Sequence, residues 1–326
     1  MWYDKLDYRN KINIDKWITF GVEIEFAEAR RKLIRTLMTR MYNDDIIDEL
    51  WNIENDETIY EAFFSTKGGE AISPILRDNE ASWHDLKAVC NLIKNYNGVI
   101  NNNCGAHVHM GANYLHDNVL YYTRFMMLMM LYEDVMVRFW FGERDKPRIT
   151  FYSHAQSSNY LFNHIFSNYY DNHKLNLSYD ELEKALTGNK SHKNQLINFR
   201  GISEEYINYK YKKPNNWRDY KTIEFRGGNG TLNESIWQNY VNLNASIFMA
   251  VVDEDKNWDF IYNKCDELLN DKAKLFSASN DFNIDKAVEF SDFIFDNSVD
   301  KNNFMLQYIK KENCEYNSGK SKIKKR

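Results

Sequence analysis

Three short stretches of the chain each carry two ligand-type side chains separated by one apolar residue: Glu23-Ile24-Glu25, His107-Val108-His109 and Glu224-Phe225-Arg226. Alternate side chains of an extended strand share a face. Each pair would therefore point one way while its middle residue anchors in a core. A fourth candidate is Glu70 in GGEAISP, where glycines let a ligand or another backbone come close. Taken singly, each stretch also reads as an ordinary strand face, and His-x-His as two packed core histidines.

If these strands pair in one sheet, Glu23, Glu25, Glu70 and Glu224 converge with two imidazoles. Like charges in one pocket raise one another's pKa unless positive charge lies between them. Two divalent cations would balance the four carboxylates, and oxygen-dominated ligation favours Mg²⁺ or Mn²⁺ over Zn²⁺. Such ions beside Arg226 suit phosphoryl chemistry, with the guanidinium neutralising charge on a transferred group. The chain has no GxxxxGK-Ser/Thr loop. A nucleotide would have to be held by this sheet and its loops.

The elements that must position these groups are legible from period. TFGVEIEF alternates as a strand, and AEARRKLIRTLMTRMYNDDIIDELW carries a helical stripe. GGEAISPIL reads as a strand stopped at Pro74, followed by a helix over Ser82 to Asn95. The strand AHVHMG precedes a buried helix, DNVLYYTRFMMLMMLYEDVMVRFWFG, closed by Gly142. EEYINYKYK and YKTIEFRGG read as two strands joined by KPNNWRD. From Ser235 onward the pattern is mainly helical. The order predicts an α+β fold, an antiparallel sheet with helices gathered on one side.

Composition narrows the function classes. The net charge of −5 and pI near 6.0 argue against a protein that coats nucleic acid. The basic tail NSGKSKIKKR reads as a disordered terminus. Cys90, Cys104, Cys265 and Cys314 show no CxxC pairing, which fits a reducing cytoplasm. Cys104, beside His107, reads as a small buried residue. No signal peptide or membrane span is expected, since the most apolar run, FMMLMMLY, is far short of the ~20 residues a bilayer requires.

GVEIEF, GGEAISPIL, CGAHVHMG and TIEFRGGNGT, in that order, resemble the amidoligase branch of the carboxylate-amine ligases, the superfamily of glutamine synthetase and γ-glutamylcysteine ligase. The resemblance runs from about Gly21 to Trp237. It implies a curved antiparallel sheet forming an open funnel, in which ATP and Mg²⁺ or Mn²⁺, two ions, meet a small-molecule or peptide carboxylate and an amine donor. By resemblance Glu23, Glu25, Glu70 and His107 are metal ligands and His109 lies nearer the nucleotide phosphates. Glu224 completes the second metal site and Arg226 contacts the phosphoryl group. Arg144 and Asn208 fall where substrate- or phosphate-contacting residues occur.

On this basis residues 1–310 form one catalytic domain with core motifs over 19–237 and a helical part over 235–310, followed by the tail 311–326. The implied reaction is amide-bond formation through an acyl phosphate. A guanidino-kinase-like phosphotransferase and a catalytically silent nucleotide-binding protein are the alternatives. The chain departs from the family pattern before the Glu70 strand, where Asp56 is the nearest match to an acidic turn. Over residues 152–200 it departs again, and there and in the C-terminal helices substrate selection is expected. Oligomeric state is left open.

Overall fold

The computed structural model describes residues 5–56, 59, 66–101, 103–142, 157–188, 195–270 and 282–310. At its centre lies strand β1 (Phe20–Arg30), whose Val22, Ile24 and Phe26 are buried. It pairs antiparallel with β3 (Lys67–Ile72) on one side and β4 (Gly105–Gly111) on the other. Beyond β3 lies β2 (Asn52–Glu54); beyond β4 lie β8 (Thr222–Asn229) and then β7 (Ile197–Asn198). The sheet, in the order β2-β3-β1-β4-β8-β7, is antiparallel and open. A separate hairpin joins β5 (Tyr170–Asp171) to β6 (Lys174–Leu175).

Ten α-helices occur among the described residues. They are α1 (Arg31–Asn43), α2 (Glu80–Asn95), α3 (Val119–Phe141), α4 (Asn159–Tyr169), α5 (Tyr179–Thr187), α6 (Glu204–Lys210), α7 (Glu234–Val252), α8 (Trp258–Asn270), α9 (Ile284–Ile294) and α10 (Ser298–Ile309). The core forms where the apolar face of the sheet meets α2, α3 and α7. Phe225 of β8 lies edge-on to Phe125 and Trp140 of α3 and against Phe248 of α7, while Phe20 of β1 stacks on Trp83 of α2. Edge-on contacts between buried rings contribute beyond simple area burial, so the middle residue of Glu224-Phe225-Arg226 is a firm anchor for its neighbours. No helix among the described residues is long and apolar enough to cross a membrane.

Four local expectations are corrected. EEYINYK is not a strand but helix α6, so the expected hairpin with β8 does not form and β7 takes that place beside β8. Ile207 is its only fully buried residue, too little to separate a period of two from one of 3.6. Glu204 and Glu205 in the first turn and Lys210 in the last complement the helix dipole and favour the helix. Strand β1 runs on through Arg30, past the expected end at Phe26, so the following helix starts at Arg31 and not at Ala27, where the helical stretch was read from. Helix α2 starts at Glu80, where the side chain of Asn79 accepts the Ser82 amide at 2.8 Å, rather than at Ser82. Nor are all helices on one side, because α6 lines the opposite, polar face beside Glu224.

Candidate active site

The polar face of the sheet collects the pairs that the spacing singles out. Glu23 lies directly opposite His107 across β1–β4, His109 opposite Glu224 across β4–β8, and Glu25 opposite Glu70 across β1–β3. Between the pairs Ala106–Gly228 and Val108–Phe225, β8 carries one residue more than β4. That bulge leaves Arg226 and Gly227 opposite His107 and re-aims the arginine, as bulges do. Gly227 is required there: a Cβ would lie 2.1 Å from the Trp140 ring.

Glu23 divides its carboxylate between the two histidines. Its Oε2 is 2.9 Å from His107 Nδ1 and its Oε1 is 3.0 Å from His109 Nε2. Burial opposes its ionisation, but the charge of His109 and the hydrogen bonds from both rings outweigh this, holding the carboxyl well below the usual range. His109 responds in the opposite sense. Burial works against its charge, yet Glu23 and Glu224 raise its pKa above the usual value. His107 also lies 3.4 Å from Glu25 Oε1 and 3.5 Å from Glu224 Oε1, at the centre of three carboxylates.

Glu224 is 8% exposed and held from two sides. Arg226 Nη1 donates to its Oε1, and Asn198 Nδ2 donates to its Oε2 at 2.6 Å. Burial raises its pKa, and the charges of Arg226 and His109 more than reverse that, leaving it lowered. Glu25 accepts the backbone N–H of Gly105. Glu70 lacks such compensation. Burial, followed by the charges of Glu23, Asp56, Glu25 and Glu54, pushes it up to about 9, so it carries a proton at neutral pH. The protein thus offsets its own acidic cluster by ion pairing in one half and protonation in the other.

Among the described residues one group of ligand-type atoms lies close enough to share a cation. Glu23, His109 and Glu224 each present a ligand atom within 4.8 Å of the other two. Two carboxylates and an imidazole suit a hard divalent ion. The expected division of labour had His107 on the metal and His109 toward phosphate; His109 is the imidazole of this group of three, and His107, more buried, lies within 3.5 Å of Glu23, Glu25 and Glu224. Glu25 and Glu70 adjoin this group on the β3 side, together with Asp56 and Glu54.

On the β8 side a pocket runs from His109 and Glu224 past Asn198 and Thr222 to Tyr206 and Lys210 of α6. Lys210 forms no ion pair among the described residues. Crowding works against its charge, and Tyr206, Tyr211, Glu23 and Glu224 raise its pKa more than enough to offset that. Asn208 of the same helix does not line the pocket; its Nδ2 is 3.4 Å from Glu204 Oε1 one turn earlier. Arg144 lies outside the described residues. Sequence reasoning missed Asn198, Tyr206 and Lys210. Asn198 sits on a two-residue strand that has no period to detect, and α6 was expected to be a strand.

The family model described as "Putative amidoligase enzyme" matches residues 16–248. The chain belongs to the amidoligase family. The match spans β1, β3, β4 and β8 and hence every side chain of the acidic cluster described above. The amidoligase family is an enzyme family of ligase type, which agrees with the polar face as a reaction site. A comparison with curated proteins found no match.

Proposed function

We propose that the chain is an ATP-dependent carboxylate-amine ligase that forms an amide or peptide bond through an acyl phosphate. The observation that carries this reading is the convergence of Glu23, His109 and Glu224 beside Arg226 on the sheet of an amidoligase-family chain. Glu23, His109 and Glu224 would hold one Mg²⁺ or Mn²⁺, and Glu25 and Glu70, with His107 behind them, would serve a second. When bound, such ions neutralise and orient phosphate oxygens.

The chain's own residues supply the rest. Arg226, freed from Glu224 once a cation takes over that carboxylate, offers a planar fork to the transferring phosphoryl group. Lys210 adds positive charge at the pocket rim and Tyr206 an aromatic wall, which fits the nucleotide side of the reaction. The sheet face fixes carboxylate and phosphoryl group in proximity, so the entropy of bringing them together is prepaid. The substrate carboxylate oxygen bonds to the γ-phosphorus as ADP leaves. The amine nitrogen then bonds to the acyl carbon, loses a proton, and phosphate departs.

The test replaces the amine with hydroxylamine in the presence of ATP, Mn²⁺ and a panel of carboxylates. The reading predicts ADP, phosphate and a hydroxamate, each requiring both the carboxylate and hydroxylamine. A stable phosphorylated product formed without any amine would contradict it in favour of a kinase-like reaction.

A further inference from the structure

Glu133 is a buried carboxylate remote in sequence from the acidic cluster, 3% exposed, on α3 just after a break in that helix at Tyr132 (φ −121°, ψ 16°). Its two oxygens are spoken for: Oε1 accepts the backbone N–H of Ser158 at 2.7 Å and Oε2 the hydroxyl of Ser157 at 2.5 Å. Ser158 stands at the N-cap of α4, where a serine ordinarily turns its hydroxyl onto its own helix. Here it does not. Its side chain makes no capping bond, and its Oγ instead accepts the backbone N–H of Ile197 at 3.0 Å.

Ile197 belongs to β7, an edge strand with one sheet neighbour. The amide held by Ser158 lies between two contacts that β7 makes with the candidate site. Leu196 O accepts the Arg226 amide at 2.8 Å, and Asn198 Nδ2 donates to Glu224 Oε2 at 2.6 Å. On the far side Phe199 packs edge-on against Phe125 and Phe162. That contact anchors the Phe199 ring against the body of the protein, while the Ile197 amide on the other side of Asn198 is held by Ser158.

We propose that Glu133 and Ser158 are positioning residues for Glu224: Glu133 fixes Ser158, Ser158 fixes β7 through the Ile197 amide, and β7 presents Asn198 to the carboxylate. The chain of bonds is continuous, buried at Glu133, Ser158, Ile197 and Asn198, and passes from α3 to the polar face of the sheet. Burial pushes Glu133 up to about 7 against the opposing effect of Ser157 and Ser158, with Asp134 adding to the rise. An amide keeps the oxygen that accepts the Ser158 N–H, and its nitrogen donates to the Ser157 hydroxyl, which reverses its role and accepts. Glutamine therefore substitutes for the glutamate and alanine does not.

The experiment follows the Asn198 side-chain amide by NMR in the cation-free full-length protein, its signal identified by loss in Asn198→Ala. The expected result is slow exchange in the parent and in Glu133→Gln, and loss of that protection in folded Glu133→Ala and Ser158→Ala. Mn²⁺ affinity measured by calorimetry on the same proteins should fall about tenfold for Ser158→Ala and stay near the parent value for Glu133→Gln, as for outer-shell partners of metal ligands. An unchanged Asn198 signal in folded Ser158→Ala overturns the proposal. If the alanine variants do not fold, the parent still decides: the Ile197 amide must exchange as slowly as a paired strand amide, and exchange at the rate of an exposed edge overturns it. A parent that binds no Mn²⁺ while the Asn198 signal responds as expected would leave this proposal standing and remove the cation reading.

Discussion

His109 reaches diagonally across the β1–β4 pair to Glu23, its Nε2 3.0 Å from Glu23 Oε1, although the residue directly opposite Glu23 is His107. The strand pairing therefore gives Glu23 two imidazole neighbours, one direct and one diagonal. The diagonal one is also the register partner of Glu224. That places His109 between two carboxylates borne by different strands, the arrangement on which the proposed cation site rests.

Cation binding should strengthen with rising pH. The folded pKa of His109 lies above its ordinary value of 6.5, so its proton must leave before the ring can ligate, while Glu23 is already ionised. Mn²⁺ titrations by calorimetry in buffers of different ionisation enthalpy should show proton release, with affinity rising from about pH 6 upward. His109→Ala should weaken binding and reduce the proton release to the share that comes from Glu70.

Stability without divalent cations should decline on the alkaline side. His109, with its folded pKa raised, contributes stability that is present below 6.5 and lost as pH rises through the folded value. Glu70 acts in the same direction. Its folded form retains a proton up to about 9, so stability falls as pH climbs from its ordinary 4.5 toward that value. Glu23 acts oppositely, its contribution present above 4.5 and lost as pH falls through its lower folded pKa. Thermal unfolding midpoints should thus drop between pH 6.5 and 9, Mn²⁺ should raise the midpoint more at pH 9 than at pH 6, and Glu70→Gln should flatten the alkaline decline.

Arg226→Lys should lower turnover by on the order of a hundredfold, the scale of losing one preorganised donor to developing charge. Lysine keeps the positive charge but not the planar fork. Mn²⁺ affinity should be retained, and a parallel loss of affinity and turnover would show that Arg226 serves the metal site instead.

Glycine substitutions on the two faces of the sheet should behave differently. Gly227→Ala drives a Cβ into Trp140 and should cost roughly 1–3 kcal/mol, the usual scale of overpacking. Gly21→Ala meets Ser73 Oγ at 3.4 Å and His109 Cβ and Pro74 O at 3.9 Å, ordinary contact distances, and should fold normally. Chemical denaturation of both variants separates the two cases.

Much of the sheet was legible because β1, β4 and β8 each carry a period-two pattern with the core residue between two polar ones, while β3 was read from GGEAISPIL and its stop at Pro74. What is local to one strand, such as the shared face of Glu224 and Arg226, follows from that pattern. Register does not, and register decides which histidine meets which carboxylates. The pattern alone gives His107 and His109 equal standing; only the pairing of His109 with Glu224 and its diagonal reach to Glu23 separate them. The β7 strand was illegible because two residues, Ile197 and Asn198, have no periodicity. Its place in the sheet depends on long-range contacts to Ser158 and β8. Helix α6 was misread because EEYINYK buries only Ile207, so its hydrophobic pattern fits either period.

The most direct measurement of the central claim is an anomalous difference map at the manganese edge from a crystal grown with Mn²⁺. The account predicts a peak ligated by the Glu23 and Glu224 carboxylates and His109 Nε2, at oxygen and nitrogen distances of about 2.0–2.3 Å, lost in His109→Ala. A crystal that takes up Mn²⁺ with no peak among Glu23, His109 and Glu224, or with His107 and not His109 as the imidazole ligand there, would contradict it.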